Sequence, residues 1–210
     1  MDVAKFVQEK VKWLGHASFR IDGSKSVVYV DPWKLKSEVP ADVICITHSH
    51  FDHLSEEDVA RISKPSTVII GPPDCKAGFG AAFKAIAPGG SETVGDVTVE
   101  AVPAYNTDKA FHPRNNNWVG YIITIDGIRV YHTGDTDLIP EMGNLEVDVA
   151  LVPVGGTYTM TVEQAADALK KIKPKVAVPM HCGDIVGSFK DRETLQARSA
   201  TPVVILDPTA

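Results

Sequence analysis

The chain has 210 residues, 44% of them apolar, enough to bury a full core in one domain and too few for two large ones. A formal net charge of −6 without any block of lysine and arginine leaves no electrostatic footprint for a nucleic-acid backbone. No stretch approaches the roughly 20 apolar residues of a membrane helix, and "MDVAKFVQEKVKW" lacks the apolar core of a signal peptide, so residues 1–210 are expected to form a single soluble, cytoplasmic domain. Cys45, Cys75 and Cys182 are odd in number and scattered, which argues against a disulfide framework and fits a reducing compartment.

In chain order, "KVKWLGHASFRI" reads as a strand or hairpin, followed by "SVVYVDP" (26–32) and "DVICITH" (42–48). Ser55 before "EEDVARI" marks a capped helix start, and a second helix is read over Asp74–Ile86, weakened by its glycines. Further strands are read at "VTVEAVPAYN" (97–106), "IRVYHTGD" (128–135), "VDVALVPVGG" (147–156) and "KVAVPMH" (175–181). These runs are β-branched, too short for helices, and each stops abruptly at a polar residue. Thr161 and Gln164 form a capping box ahead of the stripe Val162, Ala165, Ala166, Leu169 and Ile172, which must end before Pro174. A last helix is read near Asp191–Arg198. Strands alternating with such helices predict a layered α/β architecture.

Asp31, His48, Asn106, Asp135 and His181 all stand where an apolar run finishes. Ligands of α/β sheets gather beyond the carboxyl ends of strands, so these positions can converge on one site. In "HSHFDH", an extended chain would project His48, His50 and Asp52 to one side, with His53 beside them. Imidazole and carboxylate are the usual zinc donors, but four donors in six residues cannot all wrap around one ion. The stretch is therefore read as two half-shells, His48 with His50 and Asp52 with His53. Asp135 can bridge two ions about 3.5 to 4 Å apart, and His181 joins the second set.

At these residues the chain resembles a known family. "HSHFDH" is similar to the H-x-H-x-D-H signature of the metallo-β-lactamase-fold hydrolases, with Asp31 in "VDP", Asp135 in "HTGDTD" and His181 in "PMH" matching its other motifs in order. "WLGHASF", "YHTGDTD", "GGTYTM" and "VAVPMHCGD" resemble the L-ascorbate-6-phosphate lactonase-like subgroup. The resemblance implies a four-layered αβ/βα sandwich with metals at one edge. It also places His16 near the metals.

One position departs from the pattern. The family's third motif is usually a histidine after a strand, and here the strand ends "AVPAYN" with Asn106, a poor zinc donor. His112, six residues on, is expected to replace it; His16 or a weakly held first ion are the alternatives. Asp31 is expected to orient the histidine loop by hydrogen bonding, His132 to be structural, and Thr157 and Tyr158 to line a substrate pocket.

The chemistry expected is hydrolysis by a hydroxide that two divalent ions, Zn2+ or else Mn2+, ionise near neutral pH. Asp52 would orient that hydroxide and shuttle a proton to the leaving group. A small-molecule ester, lactone or phosphodiester is the expected substrate, and the chain could act as a homo-oligomer. Two other classes remain: an iron-dependent oxidoreductase or dioxygenase of the same fold, and a metal-binding module without turnover. His50 argues against the first, since the di-iron members commonly carry glutamate there; Asp52, dispensable in a structural four-ligand site, argues against the second.

Overall fold

A computed structural model describes residues 2–36 and 39–209. The first apolar segment folds as the predicted hairpin, Val11–Gly15 (β1) and Ser18–Asp22 (β2), preceded by a helix, Val3–Lys10 (α1), whose amides Asp2 caps. β2 pairs antiparallel with Val27–Val30 (β3), and Val43–Cys45 (β4), Val68–Gly71 (β5) and Phe83–Ala85 (β6) follow in parallel, giving a six-stranded sheet in the order β1 to β6. The second sheet has Ser91–Val94 (β7), Val97–Pro103 (β8), Val119–Ile125 (β9) and Ile128–His132 (β10) antiparallel, then Val149–Pro153 (β11) and Val176–Met180 (β12) parallel.

Period-two alternation decides how the first sheet is covered. Val28, Val30, Val43, Cys45 and Ile70 point into a core shared with the second sheet. Their neighbours Tyr29, Ile44 and Ile69 point outward and pack with Val59 and Ile62 of the helix Glu56–Ile62 (α2). Each such side chain stabilises by roughly 1.5–3 kcal/mol relative to exposure. Outside the second sheet lie Val162–Ile172 (α3), which packs on β11, and Lys190–Arg198 (α4), which packs on β12. The result is a helix–sheet–sheet–helix sandwich, the metallo-β-lactamase fold. Among the described residues no helix is long and apolar enough to cross a membrane.

Two helix starts form as the sequence requires. Ser55 Oγ accepts from the Asp58 amide, and the Thr161–Gln164 capping box closes in both directions, at 3.2 and 2.9 Å. The helix read over Asp74–Ile86 does not form. That segment makes two short 3-10 turns, Pro73–Cys75 and Gly80–Ala82, and then the edge strand β6. Gly78 and Gly80 make a helix there costly, and Gly80 sits at a φ of 59°. Pairing Ile69 with Phe83 offers the backbone a sheet ladder instead.

Candidate metal centre

The two sheets present their strand ends at a common edge, and six segments meet there: the β1–β2 turn (His16), the end of β3 (Asp31), the loop after β4 (His48–His53), the loop after β8 (Asn106–His112), the end of β10 (Asp135) and the end of β12 (His181). His16, Asp31 and His181 adopt left-handed φ values of 49, 47 and 56°. Such conformations cost about 1–3 kcal/mol each and persist where the surroundings fix them.

The histidine loop is not extended. The amides of His53 and Leu54 both donate to the carbonyl of His50, at 3.0 and 2.9 Å, so the chain turns once and strand alternation does not apply. The turn sets His48 and His50 beside His112 and sets Asp52 and His53 beside His16 and His181, while His48 and His53 also meet at Asp135.

His48, His50 and His112 form the first cluster, their ligand atoms within 4.8 Å of one another. His48 Nε2 and His50 Nδ1 are 3.0 Å apart. Asn106 adds no donor atom. Its Oδ1 accepts from the His112 amide at 3.0 Å and from the His112 ring Nδ1 at 3.1 Å, which leaves Nε2 aimed at Asp135 Oδ2, 3.3 Å away. His112, the residue expected to stand in for Asn106, is placed beside His48 and His50. The expected role of Asn106 changes, from a poor donor to the group that holds the replacement.

His16, Asp52, His53 and His181 form the second cluster, again within 4.8 Å. His16 Nε2 lies 3.0 Å from Asp52 Oδ2, and its ring is tilted against His181 with centroids 3.8 Å apart. Asp135 spans both clusters: Oδ2 is 3.3 Å from His112 Nε2 and 3.0 Å from His181 Nε2, while Oδ1 is 3.4 Å from His53 Nε2. Gly134 permits this placement. It sits at a φ of 63°, and a Cβ there would lie 2.8 Å from the carbonyl oxygen of Val119.

Behind the donors, hydrogen bonds fix which ring nitrogen is free. Asp31 accepts from the Thr47 amide, the Thr47 hydroxyl and His53 Nδ1, all at 2.7 Å, so His53 turns Nε2 toward Asp135. The Thr47 hydroxyl oxygen also lies 2.9 Å from His48 Nδ1. This is the orienting role expected of Asp31. His132 is structural, as read: Nδ1 accepts from the Gly134 amide at 3.1 Å, so Nε2 carries the proton and donates to the Ala17 carbonyl at 2.8 Å. The His16 carbonyl accepts from the Trp13 indole of β1 and from the His181 amide, so the β1–β2 turn is tied both to its own strand and to the second sheet.

Three aromatic features escaped the sequence reading. Trp118 floors the first cluster, with ring centroids 4.9, 4.8 and 5.6 Å from His48, His50 and His112. Its indole N–H and the Ser49 hydroxyl both donate to Asp74 Oδ2, tying the histidine loop to that floor. Trp33 stands edge-on to His16 at 5.4 Å. Phe51, Phe111 and Ile185, with Tyr158, wall a cavity of about 290 Å³ whose floor is His50, Asp52, His112 and Asp135. Tyr158 thus lies where expected; Thr157 is exposed and outside that cavity.

Electrostatics differ across the arrangement. Burial lowers the His48 imidazole well below its ordinary value and, against the pull of Asp135, brings His112 down to about 4, so both rings are neutral donors. Burial opposes charge on His53 too, but Asp135 and Asp31 outweigh it and raise that ring. For Asp52, burial pushes the carboxyl up, and the hydrogen bond from His16 with the charge of His53 brings it down to about 2.

The residues fit divalent metal. Buried polar atoms are nearly always satisfied, yet His16 Nδ1, His53 Nε2, His112 Nε2, Asp135 Oδ1 and both ring nitrogens of His181 have no hydrogen-bond partner here. The donor spacings of 3.0 to 3.4 Å match the edge of a tetrahedral shell, about 3.3 Å for zinc–nitrogen bonds near 2.0 Å.

Two imidazole clusters joined by one carboxylate, at the shared edge of two mixed sheets, define a metal-dependent enzyme rather than a structural zinc site. A family model described as a beta-lactamase superfamily domain matches residues 10–181. A UPF0173 metal-dependent hydrolase of Archaeoglobus fulgidus is 35% identical across 95% of this chain and 96% of its own. The chain belongs to the metallo-β-lactamase superfamily and, within it, to the UPF0173 metal-dependent hydrolases. Among solved structures, it is similar to a proposed metal-dependent hydrolase from Parabacteroides distasonis, at 35% identity and a TM-score of 0.84, covering 94% of this chain and 93% of that one. It is also similar to Igni18, a metallo hydrolase from Ignicoccus hospitalis, at 26% identity and a TM-score of 0.78, covering 95% of each chain.

Proposed function

We propose that this hydrolase cleaves a small-molecule ester or lactone with two divalent ions, zinc before manganese. His48, His50 and His112 would hold one ion, and Asp52, His53 and His181 the other, with Asp135 between them. The reach of Asp135 to both clusters is the observation that carries this reading. Ions bound there would polarise the acyl oxygen and lower the pKa of a water from 15.7 towards about 7.

The chain's own residues supply the rest. His16 Nε2 donates to Asp52 Oδ2, which fixes the carboxylate and keeps it ionised. Asp52 Oδ1 is then the atom that takes a proton from the attacking water and returns it to the leaving alkoxide. Asn106 and Asp31 hold His112 and His53 in one ring orientation each, so the donor set needs little rearrangement during turnover. The motifs "WLGHASF" and "GGTYTM" support a lactone within this class, and a phosphodiester is the second substrate reading.

Metal analysis of protein purified without added metal tests the proposal. We expect close to two ions per chain, zinc or manganese exceeding iron, and loss of esterase and lactonase turnover in Asp52→Ala. One iron per chain with oxygen consumption on thiol substrates would overturn it in favour of the redox class. Activity surviving Asp52→Ala would overturn the assigned base.

A further inference from the structure

We infer that the substrate carries an uncharged apolar group, aromatic or short aliphatic, seated against Phe51, Phe111, Tyr158 and Ile185. This rests on the hydrolytic reading above and specifies what is hydrolysed.

Among the described residues, the large apolar side chains left exposed are Phe51 (71%), Phe111 (48%), Ile185 (39%) and Phe189 (43%). Single exposed apolar residues are ordinary, but three of these four surround one cavity above the metal centre. They come from three separate loops, so no local sequence preference explains their meeting. The rings are also braced. Phe111 stands edge-on to Tyr158 at 4.7 Å and 88°, and Phe51 to Trp33 at 6.2 Å and 75°. Bracing makes the wall a preformed slot, and apolar surface removed from water there returns roughly 25 cal/mol per Å².

Charge points the same way. Among the described residues no lysine or arginine lines the cavity. On the flanking segments, Lys34 is paired with Asp184 at 3.2 Å, Lys109 with Asp137 at 2.6 Å and Arg114 with Glu141 at 3.0 Å. A phosphate or carboxylate on the far end of a substrate would find no cation in the cavity wall and would have to compete with these carboxylates for one at the rim. The cavity's 290 Å³ is about twice the ~150 Å³ that holds a benzene, room for a phenyl or butyl group beside the reacting carbonyl. In the reaction itself, water oxygen bonds to the acyl carbon, the bond from that carbon to the alkoxide breaks, and one water proton passes to the alkoxide.

The test uses zinc-loaded protein and methyl acetate, methyl butyrate and methyl phenylacetate, which share one leaving group. We expect kcat/KM to rise about fourfold per added methylene, with phenylacetate the best of the three. Phe111→Ala and Ile185→Ala, at unchanged metal content, should flatten that series mainly through KM. Glucono-δ-lactone should gain nothing from a phosphate on its terminal hydroxyl. A flat series in the wild type, or a tenfold gain from the phosphate, would overturn the inference while leaving the hydrolase standing. Calorimetric binding of phenylacetamide, a neutral amide, separates the two failures. Binding weakened at least fivefold by Phe111→Ala supports the apolar slot even if no ester is cleaved, and absent or unaltered binding sinks it.

Discussion

Asn106 stands where the resemblance calls for histidine, and its side chain holds His112, six residues along the chain, against the first cluster. The carboxamide accepts two hydrogen bonds from His112, one from its amide and one from its ring, and donates a third to the Tyr158 carbonyl. The strand end therefore still serves the first cluster, through an intermediary. His112→Ala should abolish zinc binding at that cluster. Asn106→Ala should weaken it by about 10- to 100-fold, the usual effect of removing a group that orients a ligand. Calorimetric zinc titration of both variants checks this; an Asn106→Ala protein with wild-type affinity would show that packing alone holds His112. Most residues of the two clusters are legible in the sequence because each sits at a strand end or within the short histidine loop. The coupling of Asn106 to His112 is not, since it depends on how the loop between them closes.

Among the elements, legibility followed burial pattern. The runs ending in Asp31, His48, Asp135 and His181 were readable as strands because they are short, apolar and sharply bounded. β9 was missed although Asp126-Gly127, both with positive φ, form the two-residue turn joining it to β10, a direct hairpin signal. With β9 went Trp118, which precedes it and floors the first cluster. Residues 74–86 were misread because their apolar spacing suits a helix while their glycines do not.

The ends of β10, β11 and β12 away from the site are tied by Asp148, whose carboxylate accepts from the Arg129 amide at 2.9 Å and from Lys175 Nζ at 2.8 Å. Partial burial pushes this carboxyl up, but Lys175 and the Arg129 amide outweigh it and lower its pKa below the ordinary 3.8. A depressed folded pKa means the stabilisation is complete above about pH 4 and lost as pH falls through the folded value. Asp148→Asn should therefore melt below the wild type at pH 7, with the gap closing as pH falls below about 4. A gap of constant size across melting curves in that range would rule out the ionised carboxylate as its cause.

Across the whole molecule, the metal centre lies where the two sheets meet, and each contributes to both clusters or to their support. His48, His50, Asp52 and His53 come from the first sheet's side; His112, Asp135 and His181 come from the second. Ions bridging these sides would oppose separation of the sheets as well as serve chemistry. A ligand present at 100 times its Kd adds about 2.7 kcal/mol, which for a chain of this length raises Tm by about 5–10 °C. Treatment with a chelator should lower Tm by that amount and zinc should restore it. An unchanged melting curve after verified metal removal would mean the sandwich is held by its apolar core alone.

The packing of indoles against imidazoles has a practical result. Trp118 lies beside all three rings of the first cluster and Trp33 beside His16 of the second, whereas Trp13 meets His16 through a bond from its N–H to the backbone carbonyl and packs its ring on Phe189. The protein thus carries a native chromophore at each cluster. Seating a paramagnetic ion such as Co2+ would quench Trp118 or Trp33 according to which cluster fills first. Replacing either tryptophan with phenylalanine would silence one channel, and the order of loading becomes readable from emitted light.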